Sequence, residues 1–479
     1  MAEINPFYLG TFVVYLLIVL AIGLWGYTQT SDVMDFWAFG QEMGPWLATW
    51  SFVANFVSAV SVIGFIGAVY GEGYTLMTHT IFGLMLGTSA LYFAVDRVRN
   101  LDLLTFPDII ASVTGYQVAR PIAGTVLLGN GWLYLVMQLV GASLLVTTIT
   151  GVPYEYMVWV IGIVFIAYTV LGGLISVAWT DFLQGTLMVG AVLLALGYMI
   201  FDLGGLTSIN QQFASLNAAN VHPTGQGAYT AIGIIATIVA FFGTIFTEQN
   251  NIVRIAATKN VRAAKIHLAA AGVILSVFYS ALVILGGATT VALDSNGMAV
   301  QTQDAAFPAL ITNYVPSGVG VIIILAVMSA ILSTTDTRLH STGITTARDI
   351  YSYFRPDSSD DSQLKVSRVA TIVFGITATA AAVNPPGTII ELYNFRAVLL
   401  TSAFLIPVYL GLYWVGLSGR AILASVVTGA ILGVATEITG GLFGIPSTFI
   451  GVGAATLVLV VGHMLLGGSE PKGGAMAGD

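Results

Sequence analysis

The chain has 479 residues, of which 57% are hydrophobic and only 8% charged, and its mean hydropathy is +0.90; a water-soluble globular protein is excluded. It contains no cysteine, which removes disulfides, thiolate metal sites and cysteine catalysis. The formal net charge of −8 says little about partners, because most acids lie in polar connections on both sides of the spans.

About thirteen apolar stretches of membrane length follow one another, starting near residues 7, 46, 75, 118, 153, 181, 228, 265, 318, 365, 391, 418 and 446. They must be helices, since an unclosed strand leaves backbone polar groups unpaired in lipid. The first, residues 7–28, lacks a basic leader and is too long for a signal peptide. The second, FVANFVSAVSVIGFIGAVYGEG, carries Ser, Asn and β-branched residues in its middle, then Gly64, Gly67 and Gly71. The sixth opens with Asp181 in WTDFLQ. The seventh, AIGIIATIVAFFGTIFTEQNN, holds Gly243 and two threonines mid-span and ends polar. A pair of interrupted helices at matching positions of two halves marks a transporter binding site. Breaks are expected near 54–59 and 243–247. Close helix packing explains any single Gly or Ser equally well. Spans two and seven lie five apart, and an odd repeat length inverts the second copy. The expected architecture is one all-α transmembrane domain over 1–479, with inverted repeats at about 46–203 and 228–416.

The 15 Lys and Arg residues sort by side. Arg97, Arg99 and Arg120 flank one connection; Arg254, Lys259, Arg262 and Lys265 crowd a second. Arg348, Arg355, Lys365 and Arg368 fill a third, Arg420 a fourth, and Lys472 lies in the tail. The alternate connections, near 70–78, 150–155, 201–228, 294–318, 383–391 and 437–446, have none. By the positive-inside rule the basic connections face the cytoplasm, so the N-terminus is outside and the C-terminus inside a cell membrane. Arg338 and Arg396 resist the sorting; both sit in or at the edge of a span.

The ninth span, AVMSAILSTTDTRLHSTGITTARDIY, is too polar to face lipid. Mid-span charges cost roughly 2.5–3.5 kcal/mol each on the insertion scale, so they face protein or water. At 100° per residue, Ala330, Ser333, Thr334, Thr337 and Ser341 form one stripe of hydroxyls around a small residue. Hard cations want oxygen ligands, and hydroxyls plus the carbonyls of a broken helix can serve a monovalent ion. Hydroxyls bonding back to their own helix are the alternative.

The stretches SDVMDFWAFGQEMGPW, GGLISVAWTDFLQG, QNNIVRIAATKNVRAAK and STTDTRLHSTGITTARDIY resemble, in the same order, the sodium:solute symporter family of proline, pantothenate, sugar and monocarboxylate transporters. The resemblance implies a leucine-transporter-like inverted-repeat core that couples Na⁺ to solute uptake by alternating access. It implies a Na⁺ site made of the carbonyls of Ala54, Val57 and Ala330 and the hydroxyls of Ser333 and Thr334. It also gives Asp181 a role at a second cation or proton. Asp181 with Gln184 equally fits a capping box. Asp336 flanks the same helix with His340 at i+4; it reads as a partner of Arg338 or His340, or as part of a second cation site. Solute-lining candidates beside the breaks are Asn55, Ser58, Ser61, Thr244, Thr247 and Gln249. Sugar transporters of the family have an acid–amide pair where this chain has Val60 and Ser61, so a monocarboxylate, an amino acid or a similar solute is expected.

Na⁺ is the coupling ion, a small organic solute and the bilayer are the partners, and neither nucleic acid nor an obligatory protein partner is evident. A Na⁺-independent facilitator or channel, or an H⁺-coupled transporter of the same fold, is the alternative. An enzyme is not expected: the histidines at 79, 222, 267, 340 and 463 are scattered, and HExxH, GxSxG and Walker A sequences are absent.

Overall fold

The structure is a computed structural model that describes residues 42–100, 105–414 and 416–467, with scattered positions between 10 and 24. The expected first span, most of the SDVMDFWAFGQEMGPW stretch and Lys472 lie outside the described residues. Among the described residues there are helices and two isolated bridges, and no strands. Among the described residues ten helices are long and apolar enough to cross a membrane, or eleven when one bent pair counts as a span.

The bent pair is α1 (Pro45–Phe56) with a π-helical turn (Val60–Gly64) and α2 (Phe65–Glu72), bent by 50°. Gly73, at φ +76°, turns the chain into α3 (Tyr74–Asn100); a Cβ there would meet Asn220 Cα at 2.6 Å. A short helix, α4 (Phe106–Thr114), starts with a Thr105–Asp108 capping box and stops at left-handed Gly115. α5 (Ala119–Thr150) follows.

Next comes α6 (Tyr154–Asp202), one helix of 49 residues where two separate spans are expected. It passes as two apolar stretches, Tyr154–Ala167 and Asp181–Asp202. The capping pattern at Asp181 is not used as a cap. Asp181 lies inside the helix, fully buried, and takes its hydrogen bonds from other helices.

The Lys- and Arg-free connection after α6 carries α7 (Leu206–Leu216). Then come α8 (Ala231–Thr247), α9 (Gln249–Ala257), α10 (Val261–Ser295), α11 (Ala306–Asn313) and α12 (Ser317–Ile344), the last extended by a π-helical stretch to Tyr351. α13 (Asp360–Val383), α14 (Ile389–Leu400), α15 (Ile406–Tyr413), α16 (Gly419–Ile438) and α17 (Ser447–Leu466) complete the chain. The caps follow sequence: Asn260 and Ser359 accept from the third residue of α10 and α13, and Thr388 forms a capping box with Glu391 at α14.

Burial separates centre from rim. The most apolar window is 78% buried in both Ser317–Phe354 and Ile389–Tyr413, but 17% in Ser447–Leu466, whose remaining surface suits lipid. α12 and α14 are therefore central walls, and their polar residues face protein. At the basic end, Arg120 and Arg348 pair with Asp108 at 3.2 and 3.0 Å, and Arg120 also reaches Asp349 at 3.3 Å.

Candidate ion and solute site

Two helix breaks meet at the middle of the molecule. At the first, α1 ends at Phe56 and Val57 is extended (φ −88°, ψ 107°). The freed backbone groups find side chains. Ser58 Oγ accepts from Val60 N at 3.2 Å, and Phe56 O accepts from Ser61 Oγ and, at 3.1 Å, from Tyr279 Oη. This is why a Ser-rich sequence tolerates the break in lipid.

On α12, Thr334 Oγ1 lies 3.3 Å from Ala54 O, 3.3 Å from Val57 O and 3.0 Å from Ala330 O. One hydroxyl carries one proton, so it cannot satisfy three carbonyls at once. Four oxygens crowding one proton form a donor set suited to a hard cation. Ser333, next to Thr334, donates to Asp181. Its proton is thereby turned away, leaving its lone pairs as its means of binding an ion. The structure thus brings together Ala54, Val57, Ala330 and Thr334, with Ser333 held beside them by Asp181. The donor set fits Na⁺: the ligating atoms are neutral oxygens, and one carboxylate stands behind them.

Asp181 is already balanced. Its Oδ2 accepts from Ser51 Oγ and Arg254 Nη2, both at 2.8 Å. Arg254, 2% exposed, also reaches Ser51 O at 2.9 Å and Thr337 Oγ1 at 3.3 Å. A guanidinium supplied by the chain itself therefore sits at the carboxylate proposed for a second cation. Asp336 is buried on α12, and Arg338 on the same helix pairs with Glu248.

The second break falls at Glu248 (φ −75°, ψ 115°), one residue beyond the expected stretch. Gly243 is helical; it is small because a Cβ there would meet Thr401 Cγ2 at 2.4 Å. Thr247 donates to Gly243 O in its own helix at 2.8 Å. The carbonyls freed at this break go to Asn251 Nδ2 (Ile245 O, 3.0 Å) and Tyr409 Oη (Phe246 O, 2.7 Å).

The Glu248 carboxylate bridges Arg338 on α12 and Arg396 on α14, all three nearly inaccessible to solvent. Both guanidinium groups stack on Tyr134, at 4.1 and 4.7 Å from its ring centre, and Arg396 also lies over Tyr393. Two cations and one anion leave the cluster at +1. Around it is a cavity of about 10 Å³, close to the smallest space that admits one water. Asn55, Ser61 and Thr244, three of the solute-lining candidates, line it beside apolar Phe56, Val60, Phe65 and Ile245. Ser58 stands behind its wall, 3.1 Å from Tyr134 Oη. Thr247 faces its own helix, and Gln249 lines a separate space beneath. Sequence reasoning missed Tyr134, Glu248, Tyr279 and Tyr393 as lining residues. It singled out Arg338 and Arg396 only as charges that fit no loop. Away from the basic end, the rings of Phe241 and Tyr393 stack at 5.2 Å, and Phe241 borders a crevice lined by Asn394 and Glu437.

The sodium:solute symporter family model matches residues 36–465. Sodium/proline symporter 2 of Staphylococcus saprophyticus is 27% identical over 441 residues, covering 88% of this chain and 84% of that protein. The high-affinity proline transporter PutP of Bacillus subtilis is 27% identical over 432 residues, covering 86% and 88%. A solved Na⁺-coupled sialic acid symporter superposes with a TM-score of 0.83 at 20% identity, covering 98% of this chain and all of that one. MhsT in complex with L-phenylalanine superposes with a TM-score of 0.53 at 15% identity, covering 86% and 97%. The solved structures share the fold.

Proposed function

Because the chain belongs to the sodium:solute symporter family, we propose that its solute is a small carboxylate with a partly apolar body, bound at Arg338 and Arg396, while Na⁺ binds at Ala54, Val57, Ala330, Ser333 and Thr334. The protein is a multi-pass membrane transporter with an all-α, leucine-transporter-like core. It is not an enzyme; it couples Na⁺ to the movement of a small organic solute.

The observation that carries the solute class is the charge of the central cluster. The two guanidinium groups exceed the single carboxylate by one charge. A solute carboxylate cancels the excess and suits the fork of an arginine. The aromatic and aliphatic walls accept an apolar remainder. Proline, named for the relatives above, is a zwitterion whose carboxylate fits the arginine fork but whose ammonium leaves the excess charge uncancelled. A polyol offers no charge to match.

Ion and solute share α1 and α12. Ala54 and Val57 flank Asn55 and Phe56, which line the solute cavity, and Thr334 is one turn from Arg338. Na⁺ bound between the helices fixes the break against α12 and thereby shapes the solute wall. We assign the two repeats to about 46–203 and 228–416, one break opening each. The basic connections face the cytoplasm, with the N-terminus outside. Inward movement of one charge is driven by about 2.3 kcal/mol per 100 mV.

The test is thermal unfolding of the purified protein against acetate, lactate, pyruvate, L-proline and a neutral sugar, with Na⁺ or with K⁺. A ligand of the native state raises apparent stability. Carboxylates should stabilise it only in Na⁺. Stabilisation by the sugar alone would reject the carboxylate assignment.

A further inference from the structure

We propose that Glu248 is a built-in carboxylate holding Arg338 and Arg396 in the solute's place, and that the solute displaces it into the passage beneath, unfastening the cytoplasmic side. The proposal rests on the carboxylate reading of the solute.

Two small cavities share the Glu248–Arg338 pair as a common wall. Above is the central cavity of about 10 Å³. Below, between α5, α9 and α12, is one of about 20 Å³ lined by Asn130, Gln249, Asn250, Ser341, Thr342 and Thr345. The lower one runs along α12 from Arg338 towards Arg348 and the basic end of the molecule. The ion pair is therefore a partition between the central cavity and a second, polar cavity on the side of the basic connections.

The partition is built to yield. Glu248 is the non-helical residue between α8 and α9, so its side chain hangs on the hinge. The upper cavity has no room for a solute carboxylate while Glu248 spans the guanidinium pair. An incoming carboxylate of the same shape and charge can take over both arginines. The displaced Glu248 then needs donors, because a buried carboxylate without partners is strongly unfavourable. The lower passage supplies them as amides and hydroxyls.

Those donors now fasten α9 to α12. Gln249 Nε2 donates to Thr345 Oγ1 at 3.0 Å, and Ser341 Oγ donates to Asn250 Oδ1 at 2.5 Å. A carboxylate entering the passage competes for the Ser341 and Thr345 hydroxyls and draws water in with it. Solute arrival on one side is converted into release of a clasp on the other. Closure in the absence of solute follows from the same exchange, since Glu248 returns to the arginines.

The chain has no cysteine, so Thr342→Cys places a single thiol in the lower passage. It is labelled with a membrane-impermeant thiol reagent from the face of the basic connections, in Na⁺, with and without pyruvate, lactate or L-proline. Labelling should accelerate about tenfold with whichever of the three stabilises the wild type. In Glu248→Gln, labelling should be fast without solute, and that same compound should bind about tenfold more tightly. Glu248→Asp, which keeps the charge but reaches less far, should fall between, and it serves if Glu248→Gln does not fold. Unchanged or weaker solute binding in these variants, or a thiol that stays shielded when solute is bound, overturns the proposal while leaving the carboxylate reading intact. A wild type stabilised by none of the three compounds overturns both.

Discussion

The two helix breaks solve one problem with different chemistry. The break after α1 is stitched by neutral groups: Ser58, Ser61, Tyr279 and Thr334 take up its backbone. The break after α8 puts an ionised side chain at the hinge and answers it with two arginines. Carbonyls gathered around a single hydroxyl proton invite a cation, whereas a surplus of guanidinium invites an anion. On the proposed reading the difference gives one ligand to each break and lets the two sit side by side without competing.

The widest test of this division is Arg396→Ala. Removing one partner of a buried ionic cluster costs about 3–5 kcal/mol, so the variant should lose solute stabilisation by at least about a hundredfold and lower the melting temperature. Arg396→Lys should keep the fold but not the forked contact, leaving solute binding weak and Na⁺ binding near normal. Loss of Na⁺ binding in Arg396→Lys, read by Na⁺ titration, would merge the two sites into one.

Ser333→Ala with Thr334→Ala attacks the other side. Alanine keeps the helix but removes two of five ligand oxygens. Apparent Na⁺ affinity should fall at least about tenfold, with solute binding recovered at saturating Na⁺. Normal Na⁺ dependence in membrane-inserted protein would mean that the hydroxyls serve only the packing.

Asp304, in the connection before α11, caps α14 by accepting from Ile389 N at 2.9 Å. Its neighbour Gln303 lies against Gly67 of α2, the second arm of the first break. Burial, with the nearby Glu391 charge adding to it, pushes the Asp304 carboxyl up to about 6 from 3.8. A raised carboxyl favours folding while protonated, so its contribution is complete below 3.8 and is lost as pH rises through about 6. Asp304→Asn should flatten that part of the stability–pH profile without changing Na⁺ affinity at neutral pH. A profile identical to wild type would refute the assignment.

The smallest effect belongs to Thr247→Val. Its hydroxyl bonds to its own helix, so solute and Na⁺ titrations should match wild type, with a stability loss of about 1 kcal/mol for the buried hydrogen bond. A clear loss of solute affinity would place Thr247 in the cavity.

How far the sequence could be read follows the same division. Helix starts near 46, 75, 118, 318 and 446 appear at Pro45, Tyr74, Ala119, Ser317 and Ser447, because hydropathy and caps are local signals. The Thr334 constellation is readable because one helix stripe and one Ser-rich break carry it. The charged cluster is harder. Arg338 and Arg396 stand out as cations in apolar spans, but Glu248 lies 90 and 148 positions from them along the chain. No spacing rule links residues that far apart. Gly243 misled for another reason: a glycine that loosens a helix and one that admits Thr401 look the same in sequence. Asp181 was ambiguous because its partner, Arg254, sits among loop-like cations.

The spacing of oxygens around Thr334 also sets a size limit. Ligands at right angles around an ion lie √2 times the metal–oxygen distance apart. The 3.3 Å edges to Ala54 O and Val57 O and the 3.0 Å edge to Ala330 O therefore correspond to radii of about 2.3 and 2.1 Å, at or below the short end for loosely coordinated hard cations. Widening that shell for a bulkier alkali ion means prising α1 away from α12. At the proposed site, the resistance of a packed helix pair would then act as a preference for the smaller ion.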